Sequence, residues 1–134
     1  MTRLRRTLRQ RVRAEFSGEA LPTAQVEILQ RILDEPNLRI SDLARKHRMA
    51  KNTVSTLVQQ LVVKGLVERL PDAADRRVVR LTLTRHGEQS LRVWTDLDER
   101  LLATALRRID ESQRAAIINS VPALVLLAAE LEHI

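Results

Sequence analysis

Residues 51–77 contain two sets of polar side chains whose types and spacing suit specific hydrogen bonding to a partner. The first set consists of short or amide side chains between apolar residues: Asn52, Ser55, Thr56 and Gln59. The second set, Asp75, Arg76 and Arg77, lies in a charged stretch shortly afterwards. Amides and hydroxyls bind base edges in the major groove, with Asn and Gln suited to adenine, and guanidinium groups enter a narrow minor groove. We therefore expect both sets to contact a DNA duplex.

The first set is expected on the outer face of a helix. Apolar residues recur at about 100° per residue and face a core on the other side: Val54, Leu57, Val58 and Leu61. Lys51 and Thr53 lie at the helix start, where free backbone N–H groups favour phosphate and position a protein without reading sequence. The alternative is the solvated back of an ordinary amphipathic helix, but this face lacks the Glu/Lys pairs that usually solubilise such a surface.

The second set is expected at the tip of a two-stranded ribbon. Gly65 ends the helix because glycine accepts a positive φ, and the runs Leu66–Leu70 and Val78–Leu83 have the composition of strands. The loop Pro71–Arg77 between them presents two arginines, and the aspartate before them orients the second through a fork-like pair. The alternative is a solvated turn held by local ion pairs.

Three helices are expected before this unit. Residues 3–16 have a narrow apolar stripe at a spacing of four, which needs a covering partner. Thr23 is expected to cap a second helix that ends near Asp34, and Ser41 to cap a third that ends near His47. The third and fourth helices, joined by a tight connection, form a helix-turn-helix.

Two helices are expected after the ribbon. Thr84 caps a long helix to about Arg108, and Asp110 caps a last helix that is apolar nearly all round. Pro122 lies inside this last helix, so either Ser120 caps a restart there or the helix kinks. The chain has too few elements to cover both the last helix and the N-terminal stripe, which predicts a homodimer.

The spaced motifs between residues 21 and 87 resemble the MarR (multiple antibiotic resistance regulator) family of winged helix-turn-helix transcription factors. The matching residues are Leu21–Gln25, Asp42–Ala44, Val54, Leu57–Leu61, Lys64–Arg69, Asp75–Arg77, Leu83–Thr84 and Gly87. The resemblance implies one domain over residues 1–134, mainly α with a small β-ribbon. Its DNA-binding core would span 21–90, between dimerisation helices in 1–20 and 91–134.

The resemblance also implies a function. Its members commonly repress transcription as homodimers on pseudo-palindromic operators and release DNA when a small, often phenolic or anionic, effector binds between the two regions. Trp94 is a candidate effector-binding residue, although a lone tryptophan at helical spacing is more often part of a core. Phe16 and Trp94 are the two aromatic residues, so an aromatic-lined pocket is not expected.

Composition restricts the other classes of function. The chain has 134 residues, a net charge of +6 and no cysteine, which excludes disulfides, thiolate metal sites and cysteine-based peroxide sensing. Residues 84–134 carry the acidic excess, so the basic DNA-facing surface lies earlier. Three histidines are far apart and share no ligand spacing: His47, His86 and His133. No hydrolase, phosphate-loop or zinc-protease motif is present, so we expect neither an enzyme nor a cofactor or metal.

Cellular location follows from two further features. No secretory signal is recognisable, and no apolar run approaches the roughly 18–20 residues of a membrane span, so a cytoplasmic protein with no membrane partner is expected.

The alternative function is a winged helix used for protein interaction or DNA architecture without operator specificity. Such a module would not need the polar helix face or the loop arginines.

Overall fold

The computed structural model describes all 134 residues and contains six helices and one small antiparallel sheet. The helices are α1 (Thr2–Glu15), α2 (Thr23–Asp34), α3 (Ile40–His47), α4 (Lys51–Val63), α5 (Arg85–Arg107) and α6 (Glu111–His133). The strands are β1 (Val67–Pro71) and β2 (Val79–Leu83). This element order confirms the expected fold class, which is mainly helical with a winged helix-turn-helix.

The core lies where α2, α3 and α4 meet β2. Its largest buried side chains are Ile28, Leu29, Ile32, Leu43, Val54, Val58, Leu61 and Leu81. Arg48 ends α3 with a φ of 52°, in the left-handed region, and lets the chain turn within a few residues into α4. The predicted inward face of α4 is correct, except that Leu57 is only half-buried.

The ribbon after α4, which we call the wing, consists of β1, β2 and the loop between them. Gly65 has a φ of 72°, which confirms its role as the helix stop. The paired residues run from Val67 opposite Leu83 to Pro71 opposite Val79, so β1 includes the proline that the sequence places in the loop. A single bridge from Leu38 to Leu81 ties the wing to the segment before α3.

The strand boundaries differ from the predicted ones by one residue at each start. The N–H of Leu66 donates to Leu61 O at 3.0 Å, and the N–H of Val78 donates to Asp75 O at 3.0 Å. Both residues therefore belong to turns.

Two of the four predicted helix caps are confirmed. The Thr84 hydroxyl accepts the N–H of Gly87 at 2.9 Å, and the Asp110 carboxylate accepts the N–H of Gln113 at 2.9 Å. Both bonds satisfy a backbone donor that the first helical turn leaves free. They fix the starts of α5 and α6.

The predicted caps of α2 and α3 are wrong. Thr23 is the first residue of α2, and Pro22 precedes it as the cap without a side-chain hydrogen bond. Helix α3 begins at Ile40, one residue before Ser41. The hydrogen bond at its start comes from a residue inside the helix, because Asp42 accepts the N–H of the cap residue Arg39 at 3.0 Å.

Helix α5 connects the winged helix to the N-terminal helix α1. Its first turns pack on the winged helix through Gly87 and Leu91, and it continues to pack along α1. The Phe16 and Trp94 rings meet edge to face, with their centroids 5.2 Å apart.

Helix α6 is continuous through Pro122, and none of its residues is buried. Ser120 does not cap a restart, because its hydroxyl donates to Ile117 O at 2.7 Å within the same helix. The exposed apolar side chains are Ile117, Ile118, Val121, Leu124, Val125, Leu126, Leu127 and Leu131. By length and composition α6 is also able to cross a membrane. Sequence reasoning missed this because it considered only uninterrupted apolar runs.

Candidate nucleic-acid interface

The outer face of α4 presents most of the predicted DNA-binding side chains to solvent. Lys51, Asn52, Thr53, Thr56 and Gln59 are exposed. Helix α4 has Ala50 as its cap, with no side-chain hydrogen bond at its start. Free N–H groups at a helix start attract anions, so this end of α4 suits a DNA phosphate.

The side chains on this face also bond to the helix itself. Asn52 Oδ1 accepts the N–H of Thr53 at 3.0 Å, and the Thr56 hydroxyl donates to the Asn52 carbonyl at 3.0 Å. Ser55 is half-buried, at the border between the outer face and the core side. The face therefore has one ordered turn of short polar groups with Gln59 beyond it.

Gln59 makes a contact with the wing that sequence reasoning missed. Arg69 on β1 donates from Nη1 to Gln59 Oε1 at 2.7 Å, and both side chains are exposed. Arg69 is paired with Leu81 across the ribbon, so it lies on the ribbon side that faces the core and reaches past it to α4. No sequence pattern links positions ten residues apart on a helix and a strand.

A single carboxylate organises the wing loop. Asp72 Oδ2 accepts the N–H groups of Ala74 and Asp75 at 3.1 and 3.0 Å, and Asp72 Oδ1 accepts Arg80 Nε at 2.8 Å. The Arg80 hydrogen bond is the main cause that lowers the pKa of the Asp72 carboxyl, followed by the bond from Asp75 N–H. Sequence reasoning missed this role, although an aspartate that bonds backbone two residues on is a known turn signal.

Asp75 and Arg77 form the pair expected at the wing tip. Asp75 Oδ1 accepts both the N–H of Arg77 at 3.0 Å and its Nε at 3.4 Å. Only one carboxylate oxygen takes part, so the contact is not the predicted two-pronged fork. The Arg77 side chain is 92% exposed, and Arg76 beside it is exposed as well.

A chain of polar side chains joins α2 to the end of α4 behind the outer face. Gln25 is 3% exposed, donates from Nε2 to Gln60 Oε1 at 2.7 Å and accepts Lys64 Nζ at 3.1 Å. Lys64 also pairs with Glu19 at 3.4 Å. These bonds satisfy a buried amide and fix the position of α4 relative to α2.

Trp94 borders a cavity between the winged helix and the α1–α5 pair. The cavity measures about 120 Å³ and is lined by apolar side chains and a few polar groups. The lining includes Phe16, Leu21, Val26, Leu29, Leu66, Leu91, Glu19, Lys64 and His86. Trp94 is half-buried against Phe16, so it contributes both to packing and to the cavity wall.

No three His, Asp or Glu side chains lie close enough together to hold a metal ion. His47 lies at the end of α3, and its pKa is lowered chiefly by burial, then by Arg31, while Glu27 opposes the shift.

Comparison with known sequences finds a matching family model and several named relatives. Residues 21–79 match the model of the MarR family. The HTH-type transcriptional regulator YsmB of Bacillus subtilis (strain 168) is 33% identical over 82 residues, 61% of this chain and 56% of YsmB. The HTH-type transcriptional repressor MdtR of the same organism is 27% identical over 70 residues, 52% of this chain and 45% of MdtR. The chain thus matches about half the length of these curated relatives.

Comparison with solved structures extends the likeness over nearly the whole chain. A MarR family protein from Bacillus stearothermophilus is 25% identical with a TM-score of 0.79, covering 96% of this chain and 89% of that one. A mutant of S. aureus MepR, bound to an oligodeoxyribonucleotide, is 19% identical with a TM-score of 0.72, covering 95% and 94%. The second likeness concerns the fold alone. The named relatives YsmB and MdtR are transcriptional regulators rather than enzymes.

Proposed function

We infer that this chain, whose residues 21–79 match the MarR family model, is a MarR-type double-stranded DNA-binding transcriptional regulator that acts as a homodimer. Each subunit places the outer face of α4 in a major groove and the wing arginines in the adjacent minor groove. Two subunits related by a two-fold axis then read a pseudo-palindromic operator. The regulator works in the cytoplasm, where its operator is accessible.

One observation carries this proposal: polar α4 side chains and the wing arginines are exposed on the same winged helix unit, and the two aspartates of the wing loop are paired with arginines. Asp72 is bonded to Arg80 and Asp75 to Arg77, so neither aspartate is left as an unbalanced charge. The Arg77 side chain remains 92% exposed. Such an arrangement suits a phosphate surface because the acidic groups next to the arginines are neutralised.

The proposed dimer rests on the exposed apolar surface of α6. Eight large apolar side chains of this helix are between 46% and 69% exposed. Monomers rarely leave so large a contiguous apolar surface in water. We propose that the partner's terminal helices cover α6, in preference to a membrane, because the chain also carries a DNA-binding unit.

Sedimentation of the detergent-free protein should give a dimer, and Leu124→Glu should give a monomer. A wild-type monomer, or a requirement for detergent to keep the protein in solution, would contradict this.

Repression and an effector are the finer parts of the proposal. Repression is supported by the name of the relative MdtR. The effector site is the cavity beside Trp94, which at about 120 Å³ is below the roughly 300–1,000 Å³ of typical ligand pockets. A compact, ring-sized molecule would fit there.

The proposal is tested by binding to duplex DNA at two salt concentrations. A dimer that makes six or more phosphate contacts loses about a thousandfold in affinity between roughly 50 and 200 mM salt. Arg77→Ala should weaken operator binding and leave the dimer intact, whereas Gln89→Ala, an exposed change outside the outer face of α4, the wing and residues 91–134, should change neither. A flat salt response would favour a protein-interaction module. Loss of the dimer in Arg77→Ala would make the wing a structural element.

A further inference from the structure

Arg69 on the wing fixes the orientation of the exposed Gln59 amide. The two side chains are joined by a 2.7 Å hydrogen bond from Arg69 Nη1 to Gln59 Oε1. A guanidinium group donates and never accepts, so the amide atom that faces Arg69 must be the oxygen. The amide nitrogen, with its two N–H donors, is therefore the branch directed away from the wing.

This orientation limits what Gln59 can read. A free glutamine binds adenine with one donor and one acceptor together, N7 and N6 of the base being the partners. A glutamine whose oxygen is held by an arginine directs its two N–H donors outward, while that oxygen keeps a second lone pair. Such a group pairs with acceptor atoms in the major groove, which are guanine O6 and N7, thymine O4 and adenine N7.

We propose that Arg69 is a positioning residue that makes Gln59 a donor to an acceptor-bearing base, so that the wing contributes to specificity in the major groove. The inference rests on the proposed DNA-binding function and adds a residue to its site. Arg69 itself is not proposed to contact a base. The side chain lies between α4 and the wing, and fixing the Gln59 amide before binding lowers the ordering cost of that contact.

The test uses the full-length protein and an operator obtained by selection with the wild type. Affinities are measured for the operator and for duplexes in which each base pair of a half-site is changed in turn. The proteins are wild type, Arg69→Met, Arg69→Lys, Gln59→Ala, the double variant Arg69→Met with Gln59→Ala, and the control Gln89→Ala. Thermal unfolding of each variant shows that it is folded.

Arg69→Met and Gln59→Ala should each reduce discrimination at the same base pair by about tenfold, and the double variant should add nothing. Arg69→Lys should retain the discrimination because one donor to Oε1 suffices. The control should match the wild type. An equal loss of affinity on every duplex with Arg69→Met would make Arg69 a phosphate contact and overturn the inference, as would an effect at a different base pair or no effect. If the wild type itself binds all duplexes equally, the result contradicts the proposed sequence-specific DNA binding, on which the role of Arg69 depends.

Discussion

Gln25 Nε2 lies 2.7 Å from Gln60 Oε1, so a buried amide of α2 is bonded directly to the helix that we propose reads DNA. Lys64 Nζ bonds the other atom of the same amide at 3.1 Å. Gln25 thereby satisfies its donor and its acceptor and, through Lys64, links the cavity beside Trp94 to α4.

Gln25→Ala should therefore destabilise the fold. The change removes two hydrogen bonds and leaves a small cavity, and we expect a loss of about 1–2 kcal/mol in the free energy of unfolding. Urea denaturation measures it. Gln30→Ala, on the same helix with a bond only to Asp34 one turn away, should change the value by less than about 0.5 kcal/mol. Equal effects of the two changes would contradict the role given to Gln25.

Gly87→Ala should destabilise the start of α5. A Cβ at this buried position would overlap the carbonyl oxygen of Leu66 and lie 2.9 Å from its carbon. Backbone atoms cannot move aside as a flexible side chain does, so we expect a loss of about 2 kcal/mol or more in the free energy of unfolding. Thermal or urea unfolding checks it, with exposed Gln89→Ala as the control. A neutral Gly87→Ala would mean that α5 does not approach Leu66 so closely.

Asp72→Ala should loosen the wing without changing the dimer. The aspartate holds two backbone N–H groups of the loop and the Arg80 guanidinium, so its loss leaves the wing arginines less ordered before binding. We expect operator affinity to fall about threefold to tenfold, the cost of ordering one or two more side chains on binding. Titration of labelled operator measures it, and Asp96→Ala on α5 provides the control. Unchanged affinity would show that Asp72 is not needed for wing order.

Stability should decrease as the solution is acidified through the range where histidine titrates. Burial lowers the pKa of His47 below 6.5, and its Nε2 has no hydrogen-bond partner. The unfolded chain then binds more protons than the folded one, so the unfolding free energy falls as pH drops from about 7 through 6.5 and below. His47→Gln should reduce the difference between urea unfolding at about pH 7.5 and at about pH 5.5. An undiminished difference in that variant would assign the effect to other groups.

The sequence predicts those features that depend on local signals. Gly65 as a helix stop and Thr84 and Asp110 as caps are each recognisable within three or four residues, and all three are confirmed. The predicted caps of α2 and α3, Thr23 and Ser41, are both wrong. The Pro22 carbonyl accepts backbone N–H groups in the first turn of α2, and Asp42 inside α3 accepts the N–H of the residue before that helix. Helix ends are the least certain boundaries even where a helix is certain.

The tertiary contacts of the candidate site could not be predicted in this way. Arg69 meets Gln59 from ten residues away, and Gln25 meets Gln60 and Lys64 from 35 and 39 residues away. Periodicity assigns a residue to a face of its own element but does not say which polar side chain of another element reaches it. By contrast, the exposure of α6 agrees with the expectation that the chain has too few elements to cover this helix.

The most direct test of the account is selection of DNA from a random pool by the purified wild-type protein, followed by sequencing. A dimer with one α4 and one wing per half-site should recover an inverted repeat whose half-site centres lie about 10 base pairs, or a multiple of that, apart. Recovery of no common sequence, or of a motif without two-fold symmetry, would contradict the proposed reading by a homodimer.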